Sequence, residues 1–202
     1  MKHKYFCCST MSSFLTIMYK NIFGYYIYQK ESKKRLPNKI DKILFICKGN
    51  ICRSAMAEYI SRKKTGNLGI SDLEFYSRGL DVQVKNSSPS HAILVCQLNG
   101  IDLSHHKSTM VDKDIIHEAD LILTMEYRQS RILLKHFPGI SHKVFLLPRF
   151  YNRRYTGQYS IIIRDPYGRS ISEFHKCYSH IAQCLNNLYC EIKKVCITEN
   201  NA

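Results

Sequence analysis

A cysteine, five residues, an arginine and a serine stand together as Cys47-Lys48-Gly49-Asn50-Ile51-Cys52-Arg53-Ser54, directly after the apolar run Lys42-Ile43-Leu44-Phe45-Ile46. Helix-favouring residues follow, Ala55-Met56-Ala57-Glu58-Tyr59-Ile60. A buried strand therefore feeds a tight loop, and the loop feeds a helix N-terminus. Gly49 and Asn50 are the residue types that tolerate left-handed turns. Curling the chain there directs the amides of Lys48, Gly49, Asn50, Ile51 and Cys52 inward, towards the positive end of the helix dipole. Such a nest suits a phosphate dianion. Arg53 adds a planar fork that grips two phosphate oxygens at once. The same field favours a thiolate at Cys47, placed to attack a bound phosphoryl group. The Ser54 hydroxyl is the natural hydrogen-bond partner for that sulfur. Burial at a strand end would account for Cys47 alone, but not for Arg53 or the Gly49-Asn50 pair.

The elements that must position this loop follow from periodicity. Apolar, β-favouring runs recur at 43–46, 73–76, 121–124 and 144–147, separated by helical patterns near 54–64, 90–99, 126–136 and 171–194. Alternation of this kind predicts an α/β, single-domain, three-layer fold, with a central four-stranded parallel sheet flanked by helices. The phosphate-binding loop then lies after the first strand, at the carboxyl edge where such sheets bind ligands. Gly66, Gly79, Gly100 and Gly139 punctuate the pattern, and Ile181, Leu185, Leu188 and Ile192 space themselves as the buried stripe of a long last helix.

Cleaving a phosphate monoester also needs a proton for the departing oxygen. Asp165, held extended by Pro166, is the candidate, with Tyr167 as a wall of the pocket. An isolated Asp-Pro is more often a surface turn, so the dipeptide alone leaves both readings open.

The loop with its trailing Met56-Ala57-Glu58 resembles that of the low-molecular-weight protein tyrosine phosphatases, and four more segments match that family in order and spacing. These are Tyr76-Ser77-Arg78-Gly79-Leu80, Gly100-Ile101-Asp102-Leu103-Ser104-His105, Ala119-Asp120-Leu121-Ile122-Leu123-Thr124-Met125-Glu126 and Asp165-Pro166-Tyr167-Gly168. The resemblance spans about residues 41 to 195. It implies a phosphotyrosine hydrolase with Cys47 as nucleophile, Arg53 as phosphate clamp and Asp165 as general acid, working through a phosphocysteine. It further implies a network of Asn50, Ser77 and His105 bracing the loop, and no cofactor or metal. Departures are Lys48 at the pocket mouth, Ala55 at the helix start, Arg78 beside Ser77, and Gly168 where many relatives carry a second tyrosine. The segment 80–89 lacks the aromatic wall residue of eukaryotic members. In this the chain is similar to bacterial members acting on autophosphorylating tyrosine kinases of polysaccharide export, which makes phosphotyrosine-bearing proteins the expected partners.

Two rivals share this loop. Arsenate reductase needs further relay cysteines after the middle strands, and none lies between Cys96 and Cys177. Protein-arginine phosphatase resembles the family with Thr where Ile51 stands, and a branched apolar Ile51 favours a flat phenol ring. A non-catalytic phosphopeptide-binding module is disfavoured by the joint presence of Cys47, Arg53 and Asp165.

At 202 residues the chain makes one domain of ordinary size. Its 30 basic and 16 acidic residues leave a net charge of +14, much of it in residues 1–42. No specific nucleic-acid motif accompanies the charge, and a basic surface also suits phosphorylated substrates. Nine cysteines offer neither a disulfide framework nor zinc spacing. Cys177 and Cys184 are expected to pack, and a catalytic thiol needs a reducing compartment, so the cytoplasm is the expected location. Cys52 reads equally as a partner for a reversible disulfide with Cys47 or as a packing residue. Residues 1–40 read as an N-terminal extension, either mobile or an overlong start preceding Met11 or Met18. Phe23, Tyr25, Tyr26 and Tyr28 with flanking lysines instead suit contact with a membrane surface. Residues 31–39 are expected to be a linker, 41–195 the phosphatase domain, and 196–202 a tail.

Overall fold

Why the first strand is apolar throughout is clear from what covers it. In the computed structural model, which describes residues 26–27, 29–68, 73–151 and 162–199, β1 (Lys42–Cys47) pairs in parallel with β2 (Glu74–Gly79) on one side and β3 (Leu121–Thr124) on the other. β4 (Val144–Leu146) extends β3 in parallel, giving the order β2-β1-β3-β4. With helices on both faces, a central strand has no polar side. Ile43, Phe45 and Cys47 face one core, together with residues of α1 (Arg53–Leu68), α2 (Ser90–Leu98) and α5 (Ile171–Glu199). Leu44 and Ile46 face a second, smaller core with α3 (Lys113–Glu118) and α4 (Tyr127–His136). The expected three-layer fold with a four-stranded parallel sheet is therefore the observed one.

Ile181, Leu185, Leu188 and Ile192 are buried as their spacing predicted, and Cys177 and Cys184 lie in the same core. The helix carrying them runs to Glu199, past the 195 boundary, so part of the expected tail is helical. β2 is longer than its apolar run, because pairing of Phe45 with Ser77, Ile46 with Arg78 and Cys47 with Gly79 draws three polar or small residues into the strand. The short α3 carries too few residues to show a period. It is started by Asp112, whose side chain accepts from Ile115 N at 2.9 Å.

The linker expected at 31–39 is corrected. Ile27, Glu31 and Leu36 are buried, and the segment is docked on β4, the edge of the sheet. Glu31 Oε2 accepts from Leu146 N at 3.2 Å, while Lys34 Nζ donates to Val144 O at 3.0 Å and pairs with Glu31 at 2.6 Å. From below the edge, Arg149 donates to the Glu31 and Lys34 carbonyls at 2.9 and 3.1 Å. Edge strands expose unpaired amides and carbonyls that need a partner, and here two charged side chains supply it. Of the aromatic residues on which the membrane-surface expectation rests, Phe23, Tyr25 and Tyr28 lie outside the described residues, and Tyr26 is exposed. No described helix is long and apolar enough to cross a membrane.

Glu31→Ala is expected to cost about 1–3 kcal/mol, the usual penalty for stranding a buried donor. The drop is read from the urea midpoint at unchanged m. Removal of residues 1–40 is expected to lower the Tm further and to promote self-association through β4. An unaltered Tm in that truncation would return the segment to the status of a linker.

Candidate active site

The loop between β1 and α1 is shaped by one residue. Asn50, with φ of 52°, is the only non-glycine in the left-handed region among the described residues, whereas Gly49 is not left-handed. The expectation that both would turn is thus half met. Asn50 is fully buried, and every polar group it owns is used. Its amide N–H points at Cys47 Sγ (3.2 Å), and its carbonyl accepts from His106 Nε2 (2.7 Å). The side-chain oxygen accepts from Thr109 N (2.8 Å), and Nδ2 donates to Ser54 Oγ (3.0 Å) and Ser77 Oγ (2.8 Å).

This pattern orders the protons around the sulfur. The Thr109 N–H fixes which end of the Asn50 amide is oxygen, so Nδ2 must donate to Ser54. Ser54 Oγ, already an acceptor, has its own proton free for Cys47 Sγ at 3.0 Å, the only other acceptor, Arg78 O, being 3.5 Å away. A thiolate at Cys47 then receives two hydrogen bonds, from Ser54 and from the Asn50 amide. Ser77 relays the bracing outward by donating to Glu58, which is itself held by Arg62 at 2.7 Å.

His105, expected in this network, is not in it: its side chain is 90% exposed and 3.8 Å from Asp102. The neighbouring His106 takes the place, buried and edge-on to Tyr59, with Nε2 as the donor because a carbonyl only accepts. Two adjacent histidines offered no signal from sequence to choose between them. Gly79, read only as punctuation, is also part of the site. A Cβ there would lie 2.8 Å from Lys48 O and 3.1 Å from Asn50 Cβ, so the loop can rest on β2 only because position 79 is glycine. Leu80 N and Asp81 N continue the contact, donating to Cys47 O at 3.0 Å and Lys48 O at 2.9 Å.

Arg53, at the first position of α1, is 3% exposed. Its Nη2 donates to Asp165 Oδ2 at 2.6 Å and its Nη1 to Ile163 O at 3.2 Å, with Glu126 Oε1 at 3.7 Å. Its Nε is buried without a partner, a donor the loop leaves unused. Glu126, missed as a site residue, is oriented by Gln129 Nε2 at 2.9 Å. Ile163 N donates to Met125 O at 2.8 Å, which ties the Asp165 segment to the end of β3. Asp165 thus reaches the loop from 112 residues away, with its side chain 45% exposed. Pro166 is buried, Tyr167 stands 63% exposed beyond it, and Gly168 has a φ of 72° that its missing Cβ permits.

Lys48 is exposed and 3.9 Å from Asp81, Ile51 is half-buried against the core, and Arg78 folds back onto the Ser77 carbonyl at 2.9 Å. Cys52 is buried, and burial, aided by Asp165 and Cys47, pushes its thiol up. The Cys177 thiol is likewise pushed up by burial, to about 12. Among the described residues no three His, Cys, Asp or Glu side chains form a metal-binding group.

Comparison with known proteins agrees with this geometry. A family profile described as low molecular weight phosphotyrosine protein phosphatase matches residues 42–197. The protein-arginine-phosphatase of Bacillus subtilis is 28% identical over 75% of this chain and 97% of its own length. The low molecular weight protein-tyrosine-phosphatase Ptp of Acinetobacter johnsonii is 30% identical over 71% and 92%. Arsenate reductase 2 of Staphylococcus epidermidis is 30% identical over 72% and 93%. Among solved structures, a low molecular weight protein tyrosine phosphatase from T. tengcongensis superposes with a TM-score of 0.67 at 30% identity, covering 73% of this chain and 97% of that one.

The two histidines separate by mutation. His106→Ala is expected to lower kcat/KM on an aryl phosphate by about tenfold or more, since losing a buried hydrogen bond of ~1–3 kcal/mol loosens Asn50. His105→Ala is expected to leave it unchanged. The reverse ranking would restore His105 to the network.

Proposed function

The chain belongs to the low molecular weight phosphotyrosine protein phosphatase family, and from that premise we propose that it hydrolyses phosphotyrosine in proteins through a phosphocysteine intermediate. The observation that carries this reading is the double donation to Cys47 Sγ, from Ser54 and from the Asn50 amide, in a loop over which Arg53 meets Asp165. Cys47 attacks phosphorus, and the bond from phosphorus to the phenol oxygen breaks as Asp165 gives that oxygen its proton. Arg53 and the amides of residues 48–52 hold the equatorial oxygens. In the second step Asp165 takes a proton from water, water attacks phosphorus, and the P–S bond breaks. The leaving sulfur is received by the same two hydrogen bonds, from Ser54 and from the Asn50 amide. In the resting site Asp165 occupies Arg53 Nη2, so an arriving phosphate competes for that nitrogen and frees the carboxyl group for its proton. Tyr167 walls the pocket mouth and Lys48 flanks it. Arg53 and the amide nest supply the charge neutralisation, so the reading calls for no metal or cofactor.

The rival activities of the relatives are met by particular residues. No cysteine lies in the stretch where an arsenate relay would need one, and the two that bracket it, Cys96 and Cys177, are buried, with thiols pushed up to about 12, the opposite of what thiol exchange needs. Ile51 offers a flat phenol an apolar contact and offers a guanidinium no hydrogen bond. The partners we propose are phosphotyrosine proteins of the cytoplasm, an autophosphorylating tyrosine kinase among them. The family domain then occupies residues 41–195, with 1–40 as an appendage whose last third is docked.

Cys47→Ser is expected to abolish turnover while retaining vanadate binding, since the nest survives and only the nucleophile is lost. Asp165→Asn is expected to slow phosphotyrosine hydrolysis by about 10²–10⁴-fold, and to slow hydrolysis of an aryl phosphate with an acidic phenol far less. Equal losses on the two substrates would remove Asp165 from the role of acid. Turnover of phosphoarginine peptides in preference to phosphotyrosine peptides would overturn the assignment of substrate.

A further inference from the structure

Beside the phosphate loop lies a cleft of about 630 Å³ that none of the chemistry above uses. Asp165 forms part of its wall, so the cleft opens next to the site where the phosphoryl group is held. Tyr151, Ile162 and His180 are its uncharged lining: the His180 ring meets Tyr151 edge-on at 4.4 Å, and burial lowers its pKa to about 4. Among the described residues, the charged part of the lining is not fully paired. Glu173 is paired with Lys176 at 2.7 Å, and Asp165 with Arg53 at 2.6 Å. Arg164, also lining the cleft, is exposed and makes no hydrogen bond or ion pair among the described residues. Lys176 above all, with Arg169 and Arg164 behind it, holds the Glu173 carboxyl below its usual range. Of the cations that line the cleft, Lys176 is matched by Glu173 and Arg164 is not, and Arg164 stands immediately before Asp165 in the chain.

We propose that this cleft is a second recognition site, in which Arg164 binds a carboxylate or phosphate carried by a residue flanking the phosphorylated one. The volume fits a side chain with its polar end group. A planar guanidinium without a protein partner is the group best suited to grip either anion. Lys176 and Arg169 reinforce the field, and the Tyr151–His180 lining takes the apolar part of the bound segment. The inference rests on the phosphatase reading for its substrate, but the anion preference is a property of the cleft alone.

The test is a panel of phosphopeptides whose flanking positions carry Ala, Glu, phosphoserine or Lys, each made with phosphotyrosine and with phosphoarginine. Wild-type protein is expected to prefer Glu or phosphoserine flanks over Ala by about two- to fivefold in kcat/KM, the range of a partly exposed charge contact, and the Glu and phosphoserine arms separate carboxylate from phosphate. Arg164→Glu is expected to reverse the preference towards Lys flanks, and Arg164→Lys to keep part of it. Activity on a bare aryl phosphate should stay constant in both variants, which excludes damage to the Asp165 segment. The preference should also weaken as salt rises. Absence of any preference in the wild type, or its survival in Arg164→Glu, overturns the proposal. Loss of phosphotyrosine turnover in favour of phosphoarginine would fall on the substrate assignment instead, with the flank preference still read on the turned-over series.

Discussion

Everything in the site hangs on a buried amide held in a conformation that few side chains accept. Asn50 is left-handed, fully buried and engaged at each of its polar groups. Remove any one partner and a buried donor or acceptor is stranded, which costs more than the hydrogen bond itself is worth. The arrangement is therefore all or nothing: the amide orientation, the Ser54 proton and the hydrogen bonds at Cys47 are set together. A polar network of this kind contributes less to stability than to the choice of a single geometry. Catalysis by a nucleophile needs that choice, because small misplacements of the attacking atom are costly.

The sheet supplies the reference frame. Cys47 and Gly79 are opposite one another at the carboxyl ends of β1 and β2. The loop leaving the first strand thus rests on the end of the second. Lys48 O and Asn50 Cβ approach so closely that any side chain at 79 would lift the loop. Serine and arginine at 77 and 78 are carried on the same strand end, one feeding the network and the other folding back on its own backbone. A strand that reads as weak by composition is the one that seats the chemistry.

How far this was legible in the sequence depends on how local the information is. The loop, its helix and the four strands are written in short runs of apolar, glycine and helix-forming residues, and they were read correctly. Asp165 was legible only through resemblance, since an Asp-Pro dipeptide carries no sign of the arginine it will meet. His106 was missed for His105 because one residue of offset decides which imidazole turns inward, and that is set by packing against Tyr59. Glu126 and Glu58 support partners distant in sequence, Arg53 and Ser77, a role that leaves no local mark. The docked segment at 31–39 failed for the opposite reason. Its composition of Lys, Pro and Asn reads as solvent-exposed chain, and only the bare edge of β4 explains why a buried Glu31 belongs there.

The contacts that complete the molecule join residues very far apart along the chain. Leu146 reaches Glu31 across 115 positions, Val144 reaches Lys34 across 110, and Asp165 reaches Arg53 across 112. Closures of such span form late in folding, after the local helices and the β1–β2 pair. During synthesis the cysteine loop leaves the ribosome long before Asp165 does. Arg53 is therefore made long before the Asp165 it meets in the finished domain. On the proposed mechanism, a chain cut short before Asp165 would keep the anion-binding loop and lack the group that is to deliver its proton.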